Sequence, residues 1–169
     1  MKSIHLRKLV IAAMFIALAV ALSPLSIPVG ASKCFPIQHM INILGAVFLG
    51  PVYGVGIAFS TSLIRNLMGT GSLLAFPGSM IGAFCCGMMY RYTKNLVATC
   101  IAEVIGTGIL GGLLAYPVAA MFMGMTGAIF VFVVPFLVST IGGTLIGAAL
   151  VAVMAQIGAL AYLKRQIES

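Results

Sequence analysis

The scarcity of charged residues is the feature that most constrains the fold of this chain. Only 7% of the 169 residues are charged and 62% are hydrophobic, whereas a soluble domain carries about 25% charged residues. A surface that faces water cannot be built from such a chain, so we predict an integral membrane protein. The apolar runs are continuous rather than alternating, which excludes a β-barrel and predicts helical spans.

Prolines, glycines and charged residues divide the chain into six apolar segments. One span takes about 20 residues, so a single domain over residues 1–169 has room for roughly five to seven spans. The segments cover about 4–22, 37–49, 52–68, 79–90, 96–115 and 135–163, and Tyr116-Pro117 interrupts the fifth. The second and fourth are short for a full span, which is typical of helices that border a solute site.

The basic residues lie at the ends of these segments and set the orientation. With six spans and the N-terminus inside, only Lys33 and Arg65 lie on the outer side. The others are cytoplasmic, namely Lys2, Arg7, Lys8, Arg91, Lys94, Lys164 and Arg165. The positive-inside rule therefore predicts an all-α bundle of six transmembrane helices with both termini cytoplasmic. The net charge of +7 reflects this topology and does not indicate a nucleic-acid partner.

Glu103 is the one acidic residue within an apolar segment. An ionisable group inside a membrane is a candidate functional residue. The alternative is a protonated carboxyl that is hydrogen-bonded between helices for packing. Thr107 and Gly111 follow on the same helix face, while Gly106 and Gly108 keep that helix narrow beside a neighbour or a ligand.

Arg65 ends the third segment and is followed by Asn66 and the turn "GTGS", which contains Thr70. Either Arg65 is an anchor that reaches the membrane surface, or it points inward and pairs with Glu103 or with a ligand oxygen. The turn offers backbone N–H groups that suit an anionic or strongly polar ligand group, although any tight turn uses such small residues. We predict that this region closes over a bound solute.

A cluster of hydrogen-bonding side chains opens the second segment, in "KCFPIQHMIN". Gln38 and Asn42 share a helix face, His39 lies alongside, and Lys33 precedes them. The cluster is larger than packing requires and predicts a solute site. The aromatic residues that are candidates for stacking on a ligand ring are Phe35, Phe76 and Tyr116. Such a pocket suits a small, polar, aromatic heterocycle.

The sequence contains no G-x-x-x-x-G-K-[ST] loop, so the chain has no means of hydrolysing ATP itself. It also shows no metal cluster and no nucleophile–base pair, and we expect neither an enzyme nor a resident cofactor. A solute-binding bundle without its own ATPase indicates partner subunits. Ala13, Ala17 and Ala21 are spaced four apart and form a face that another helix can approach closely, either from a partner or from this chain.

Four segments resemble the ThiW group of substrate-capture subunits (S components) of energy-coupling-factor (ECF) vitamin transporters. They are "SIPVGASKCFPIQHMIN", "GPVYGVGIAF", "RNLMGTGSLLAFPGSMIGA" and "EVIGTGILGGLLAYPVA". The resemblance implies a six-helix protein of the bacterial plasma membrane that associates with a transmembrane coupling subunit and two ATPase subunits. It also implies that the coupling subunit docks on Ala13, Ala17 and Ala21.

The ligand implied by the resemblance is the thiazole precursor of thiamine, as hydroxyethylthiazole or its phosphate. The tryptophan-rich pocket of the thiamine-binding relative is missing, since the chain has no Trp. The predicted substrate-binding residues are Lys33, Phe35, Gln38, His39, Asn42, Arg65, Asn66, Thr70, Phe76, Glu103, Thr107 and Tyr116. Two alternatives stay open: a stand-alone proton-coupled carrier with Glu103 and His39 as the relay, and an S component for another vitamin.

Overall fold

A computed structural model describes residues 2–29 and 32–168 of the chain. This part is almost entirely helical, with one short antiparallel hairpin. Its helices are α1 (Lys2–Ala21), α2 (Pro36–Phe48), α3 (Pro51–Leu67), α4 (Ala75–Thr93), α5 (Leu96–Met123), α6 (Val133–Gln156) and α7 (Ala159–Glu168). The hairpin consists of β1 (Ile27–Val29) and β2 (Ser32–Cys34), and it occupies part of what the sequence predicts as a loop.

The first three helices match the predicted segments to within two residues at each end. Pro36 and Pro51 stand at the first positions of α2 and α3, where a missing N–H costs no helical hydrogen bond. Gly50 separates these two helices with φ of 84°, which a residue with a side chain rarely adopts. Local chain chemistry therefore fixes these boundaries.

The fourth helix is longer than predicted, because the Phe76-Pro77-Gly78 sequence does not break it. Helix α4 begins at Ala75, which puts Pro77 in the first helical turn. The N–H groups of a first turn have no intrahelical acceptor, so proline removes nothing there. The prediction of a short segment at 79–90 is wrong for this reason.

The fifth helix also runs through its predicted interruption. It continues past Pro117 and ends at Met123, and the next residue, Gly124, adopts a left-handed conformation. Proline removes a single backbone bond, and helices in apolar surroundings tolerate that loss when neighbouring helices support them. Residues Val104–Gly111 of α5 form a π-helical segment, directly after Glu103.

The sixth predicted segment divides into two helices. Helix α6 ends at Gln156, and Gly158, with φ of 73°, turns the chain into α7. Helix α7 has apolar residues such as Leu160 and Ile167 on one face and the exposed Arg165 on the other, so it is amphipathic in the manner of a helix that lies along a membrane surface.

Helices α1 to α6 run in alternating directions, so both termini lie at one end of the bundle. Side-chain contacts at that end join His5 to Tyr53, Arg7 to the carbonyl of Gln166, and Lys164 to Tyr90. Contacts at the opposite end join Ser23 to Thr70, the amide of Phe35 to Ser139, and Cys34 to the carbonyl of Pro135. We call the second end the hairpin end.

Helix α2 forms the centre of the bundle. Its residues 38–47 are all buried, and it packs against α3, α4 and α6.

In the described part of the chain, three helices are long and apolar enough to cross a membrane: Ile4–Ala21, Leu96–Met123 and Val133–Gln156. Large apolar side chains such as Leu6, Val52 and Leu145 are exposed on the outside of the bundle, as expected of a surface that faces lipid.

Candidate functional site

A cavity of about 240 Å³ lies at the hairpin end of the bundle. Its walls come from the start of α2, the end of α3, the turn at 71–72, the start of α4, the π-helical part of α5 and the start of α6. The described lining residues are Phe35, Gln38, His39, Arg65, Gly71, Ser72, Leu74, Ala75, Gly78, Ser79, Thr107, Met123, Met125, Phe132, Phe136 and Ser139. The cavity thus combines aromatic and aliphatic walls with a small set of polar groups, as ligand sites do.

Five of the twelve predicted binding residues line this cavity: Phe35, Gln38, His39, Arg65 and Thr107. Six others do not line it, namely Asn42, Asn66, Thr70, Phe76, Glu103 and Tyr116. The side chain of Lys33 lies outside the described residues. The sequence motifs therefore converge on one place, although several of their residues stand behind its walls.

Glu103 is fully buried behind the cavity and joins α2 to α5. Its Oε1 atom lies 3.1 Å from His39 Nδ1 and accepts hydrogen bonds from Asn42 Nδ2 at 2.9 Å and Thr107 Oγ1 at 3.0 Å. Two of these three partners, His39 and Thr107, line the cavity. Glu103 thus positions two groups of the cavity wall and is not itself part of the described lining.

The other oxygen of this carboxyl, Oε2, is buried without a hydrogen-bond partner. It faces Gly82 on α4, where a Cβ atom would lie 2.7 Å from Oε2 and would also collide with Thr107 Oγ1. A glycine at this position is therefore what lets α4 approach the carboxyl closely. The predicted role of Gly106 in keeping α5 narrow is confirmed, since a Cβ atom there would lie 3.1 Å from the Gly82 Cα atom.

Arg65 is the charged residue of the cavity wall. It is 2% exposed, so it does not reach the membrane surface as an anchor would. It also forms no ion pair with Glu103, because the described residues contain one ion pair and that pair joins Glu103 to His39. Its guanidinium stacks on the ring of Phe35, with 3.7 Å between Cζ and the ring centroid.

Three of the four amides in the turn after Arg65 are already hydrogen-bonded, so they are not the free N–H groups that the sequence suggests. The amides of Thr70 and Gly71 both donate to the carbonyl of Arg65 at 2.9 Å, and that of Gly69 donates to the carbonyl of Asn66. Asn66 itself donates to the carbonyls of Ser62 and Ser72. The turn therefore caps α3 and fixes Arg65, and it reaches the cavity through Gly71 and Ser72.

The aromatic wall differs from the one predicted. Phe76 packs on Phe59, with 5.7 Å between ring centroids, and Tyr116 packs against a buried cluster that includes Phe132. The rings that line the cavity besides Phe35 are Phe132 and Phe136, from the start of α6. Sequence reasoning missed them because a phenylalanine in an apolar segment gives no polar signal, although the Ser139-Thr140 pair about one turn beyond Phe136 was a usable one.

Gln38 completes the polar lining. Its Nε2 atom donates to Asn42 Oδ1 at 3.3 Å, as their spacing on one helix face predicts. Its Oε1 atom is buried and has no partner among the described residues, so it remains an acceptor for a ligand or a water. In the part of the chain that the structure describes, no group of three His, Cys, Asp or Glu side chains is placed to hold a metal ion.

The model of one protein family, described as thiamine-precursor transporter protein (ThiW), matches residues 9–157. Searches of curated proteins and of solved structures give no significant match. The family match runs from within α1 to the end of α6 and includes every described residue of the cavity wall. The chain therefore belongs to the ThiW family of thiamine-precursor transporter proteins.

Proposed function

We propose that this chain is the S component of an ECF-type importer and that it captures the thiazole precursor of thiamine in the cavity at the hairpin end. In this proposal α1 to α6 cross the bacterial plasma membrane and both termini are cytoplasmic. The cavity then opens toward the outside. A coupling subunit and two ATPase subunits supply the energy for release of the solute inside the cell.

The observation that carries the proposal is a small, mixed polar and aromatic cavity in a protein of this family. About 240 Å³ of space is below the range of about 300–1,000 Å³ that is typical of sites for drug-sized ligands. A molecule with one ring fits such a volume better than the two linked rings of thiamine. Phe35, Phe132 and Phe136 offer faces and edges on which a heterocycle packs.

The orientation rests on charge and on the shared location of the termini. Four basic residues lie at the end of the bundle where α1 begins and where α4 and α7 end: Arg7, Arg91, Lys94 and Lys164. Cytoplasmic ends of membrane proteins are rich in Lys and Arg. The cavity lies at the opposite end, where a capture subunit would collect its solute.

The docking proposal for Ala13, Ala17 and Ala21 rests on their exposure. All three are exposed on α1, so packing within this chain does not account for them. Ala17 and Ala21 also line an apolar groove of about 640 Å³ between α1, α2 and the two last helices. Small residues beside an apolar groove let a helix of another subunit approach closely.

Binding of the solute is tested with the purified protein in detergent. We expect hydroxyethylthiazole or its phosphate to raise the midpoint of thermal unfolding, because a ligand that binds only the folded state stabilises it. Thiamine and the pyrimidine half of thiamine serve as comparison ligands. No shift with either thiazole compound would refute the substrate proposal.

The transport mechanism is tested by uptake of labelled thiazole into cells. We expect uptake to require the coupling subunit and to fall to background when that subunit is deleted. Unchanged uptake in the deletion strain would refute the S-component role. The family assignment would stand in that case, because it does not depend on the energy source.

A stand-alone proton-coupled carrier is the second candidate, and the contact between His39 and Glu103 favours it. An imidazole and a carboxyl 3.1 Å apart beside a solute cavity can exchange a proton. Uptake that collapses with an uncoupler while cellular ATP is maintained would support the carrier over the ATP-driven importer.

A further inference from the structure

Arg65 carries a buried positive charge that no side chain in the described part of the chain balances. Its Nε and Nη2 atoms are buried and have no hydrogen-bond partner among the described residues. The chain contains two acidic residues. Glu103 is occupied with His39, and Glu168 ends α7 at the opposite end of the bundle. A buried guanidinium without a partner is unfavourable, so a bound molecule is the remaining source of its counter-charge.

The guanidinium is held in a fixed orientation before any ligand arrives. The ring of Phe35 covers one face of it, and the Phe35 amide is tied to α6 by donating to Ser139 Oγ at 2.8 Å. At its backbone, Arg65 accepts two N–H bonds from the turn. Since the faces of a guanidinium carry no N–H groups, stacking leaves its in-plane donors available for two parallel bonds to an anion.

Two hydroxyl groups of the lining add further donors. Ser72 Oγ accepts a hydrogen bond from the amide of Leu74 at 3.2 Å, and Ser139 Oγ accepts the one from Phe35. A hydroxyl that accepts from an N–H group keeps its own proton for another acceptor. No carboxylate is among the described lining residues. Beside Arg65 the lining therefore offers donors and positive charge, while Gln38 Oε1 is an unpartnered acceptor elsewhere on the wall.

From this arrangement we propose that Arg65 binds an anionic oxygen group of the transported precursor. The phosphate monoester of the precursor, rather than its free alcohol, is then the preferred ligand. A phosphate supplies several acceptor oxygens for the guanidinium and for the Ser72 and Ser139 hydroxyls. This inference rests on the proposed function, and it assigns Arg65 as the residue that distinguishes the two forms.

The test compares hydroxyethylthiazole, its phosphate and inorganic phosphate by titration calorimetry on the full chain in detergent. We expect the wild-type protein to bind the phosphate ester at least about 10-fold more tightly than the alcohol. Arg65→Gln is expected to weaken ester binding by about 10- to 100-fold and alcohol binding by less than about 3-fold. Arg91→Gln removes an exposed arginine and serves as the charge-matched control, with unchanged affinities expected.

Two further measurements separate a loss of ligand binding from a loss of folding in Arg65→Gln. Arg65→Lys retains the charge without the planar fork, and we expect it to keep part of the preference for the ester. Ligand-free Arg65→Gln is expected to unfold close to the wild-type temperature, because losing the stacking on Phe35 offsets the relief of removing a buried charge without a counter-ion. A clear drop in that temperature would reveal a structural partner and overturn the inference.

Equal affinity of the wild-type protein for ester and alcohol would also overturn it, and the thiazole proposal would survive. Failure of the thiazole proposal gives a different set of results. If neither thiazole compound binds, but the phosphate of the pyrimidine precursor does and Arg65→Gln loses it, the thiazole assignment falls and the anion site stands. Tight binding of inorganic phosphate with no further gain from a ring would identify free phosphate as the ligand and would overturn the precursor assignment.

Discussion

Removal of the Glu103 carboxyl tests whether this buried group organises the cavity wall. Three side chains donate to, or contact, its Oε1 atom. In Glu103→Ala, Asn42 Nδ2 keeps a second acceptor, the carbonyl of Ser79 at 3.2 Å, whereas His39 Nδ1 and Thr107 Oγ1 lose the only partner that they have among the described residues. A buried polar group without a partner costs about 1–3 kcal/mol, so two of them give about 2–6 kcal/mol.

Glu103→Gln separates the charge of this group from its shape. The amide oxygen still accepts from the same three neighbours, but the new NH₂ group occupies the position of Oε2, which has no partner beside Gly82. One buried donor is then unsatisfied, at about 1–3 kcal/mol. We therefore expect the stability order wild type, Glu103→Gln, Glu103→Ala.

The assay is thermal unfolding followed with a thiol-reactive dye, because Cys34 and Cys86 are buried and become reactive only on unfolding. A change of 1 kcal/mol shifts the midpoint by about 2–4 °C in a chain of this size, so Glu103→Ala should lower it by roughly 5–20 °C. Gln156→Ala, a change at an exposed polar residue, is the control and should shift it by less than about 2 °C. A Glu103→Ala midpoint within 2 °C of wild type, or equal losses in both Glu103 variants, would refute the reasoning.

Two other predictions address packing and docking. Gly111→Ala places a methyl group 2.6 Å from the Gly78 Cα atom, so α4 and α5 must separate. We expect the free energy of unfolding to fall by about 1–3 kcal/mol, measured in the same thermal assay. An unchanged midpoint would contradict the close helix contact. Ala13→Leu should change the affinity for the thiazole by less than about 2-fold and reduce its uptake at least about 10-fold, because a larger side chain keeps the helix of the coupling subunit away. Equal losses of binding and uptake would contradict a docking role.

Much of the helix pattern could be predicted from local sequence chemistry. Apolar runs, basic flanks and first-turn prolines at positions 36 and 51 locate α1, α2 and α3 to within two residues. The predicted helix ends were wrong where the effect of a proline depends on its position in the helix. Pro77 is harmless in a first turn, and Pro117 is tolerated inside a packed apolar helix, yet both look like helix breaks when only the sequence is considered.

The composition and motifs of the sequence by themselves determined a membrane-type helical protein, its family and the polar residues worth examining. Gln38, His39, Arg65 and Glu103 stand out because polar groups are costly in apolar segments. Their relation to one another was decided by the tertiary structure. Helix packing pairs Glu103 with His39 and leaves Arg65 unpaired on the cavity wall, since segments far apart in the chain meet only in the folded bundle.

The same physical reason explains the aromatic wall. Phe132 and Phe136 carry no signal in the sequence, because a phenylalanine in an apolar helix looks the same whether it faces lipid or a cavity. Helices α6 and α2 run in the same direction, which brings these rings beside the start of α2 at the hairpin end. Sequence sets which side chains are available, and the arrangement of six helices decides which of them a solute can touch.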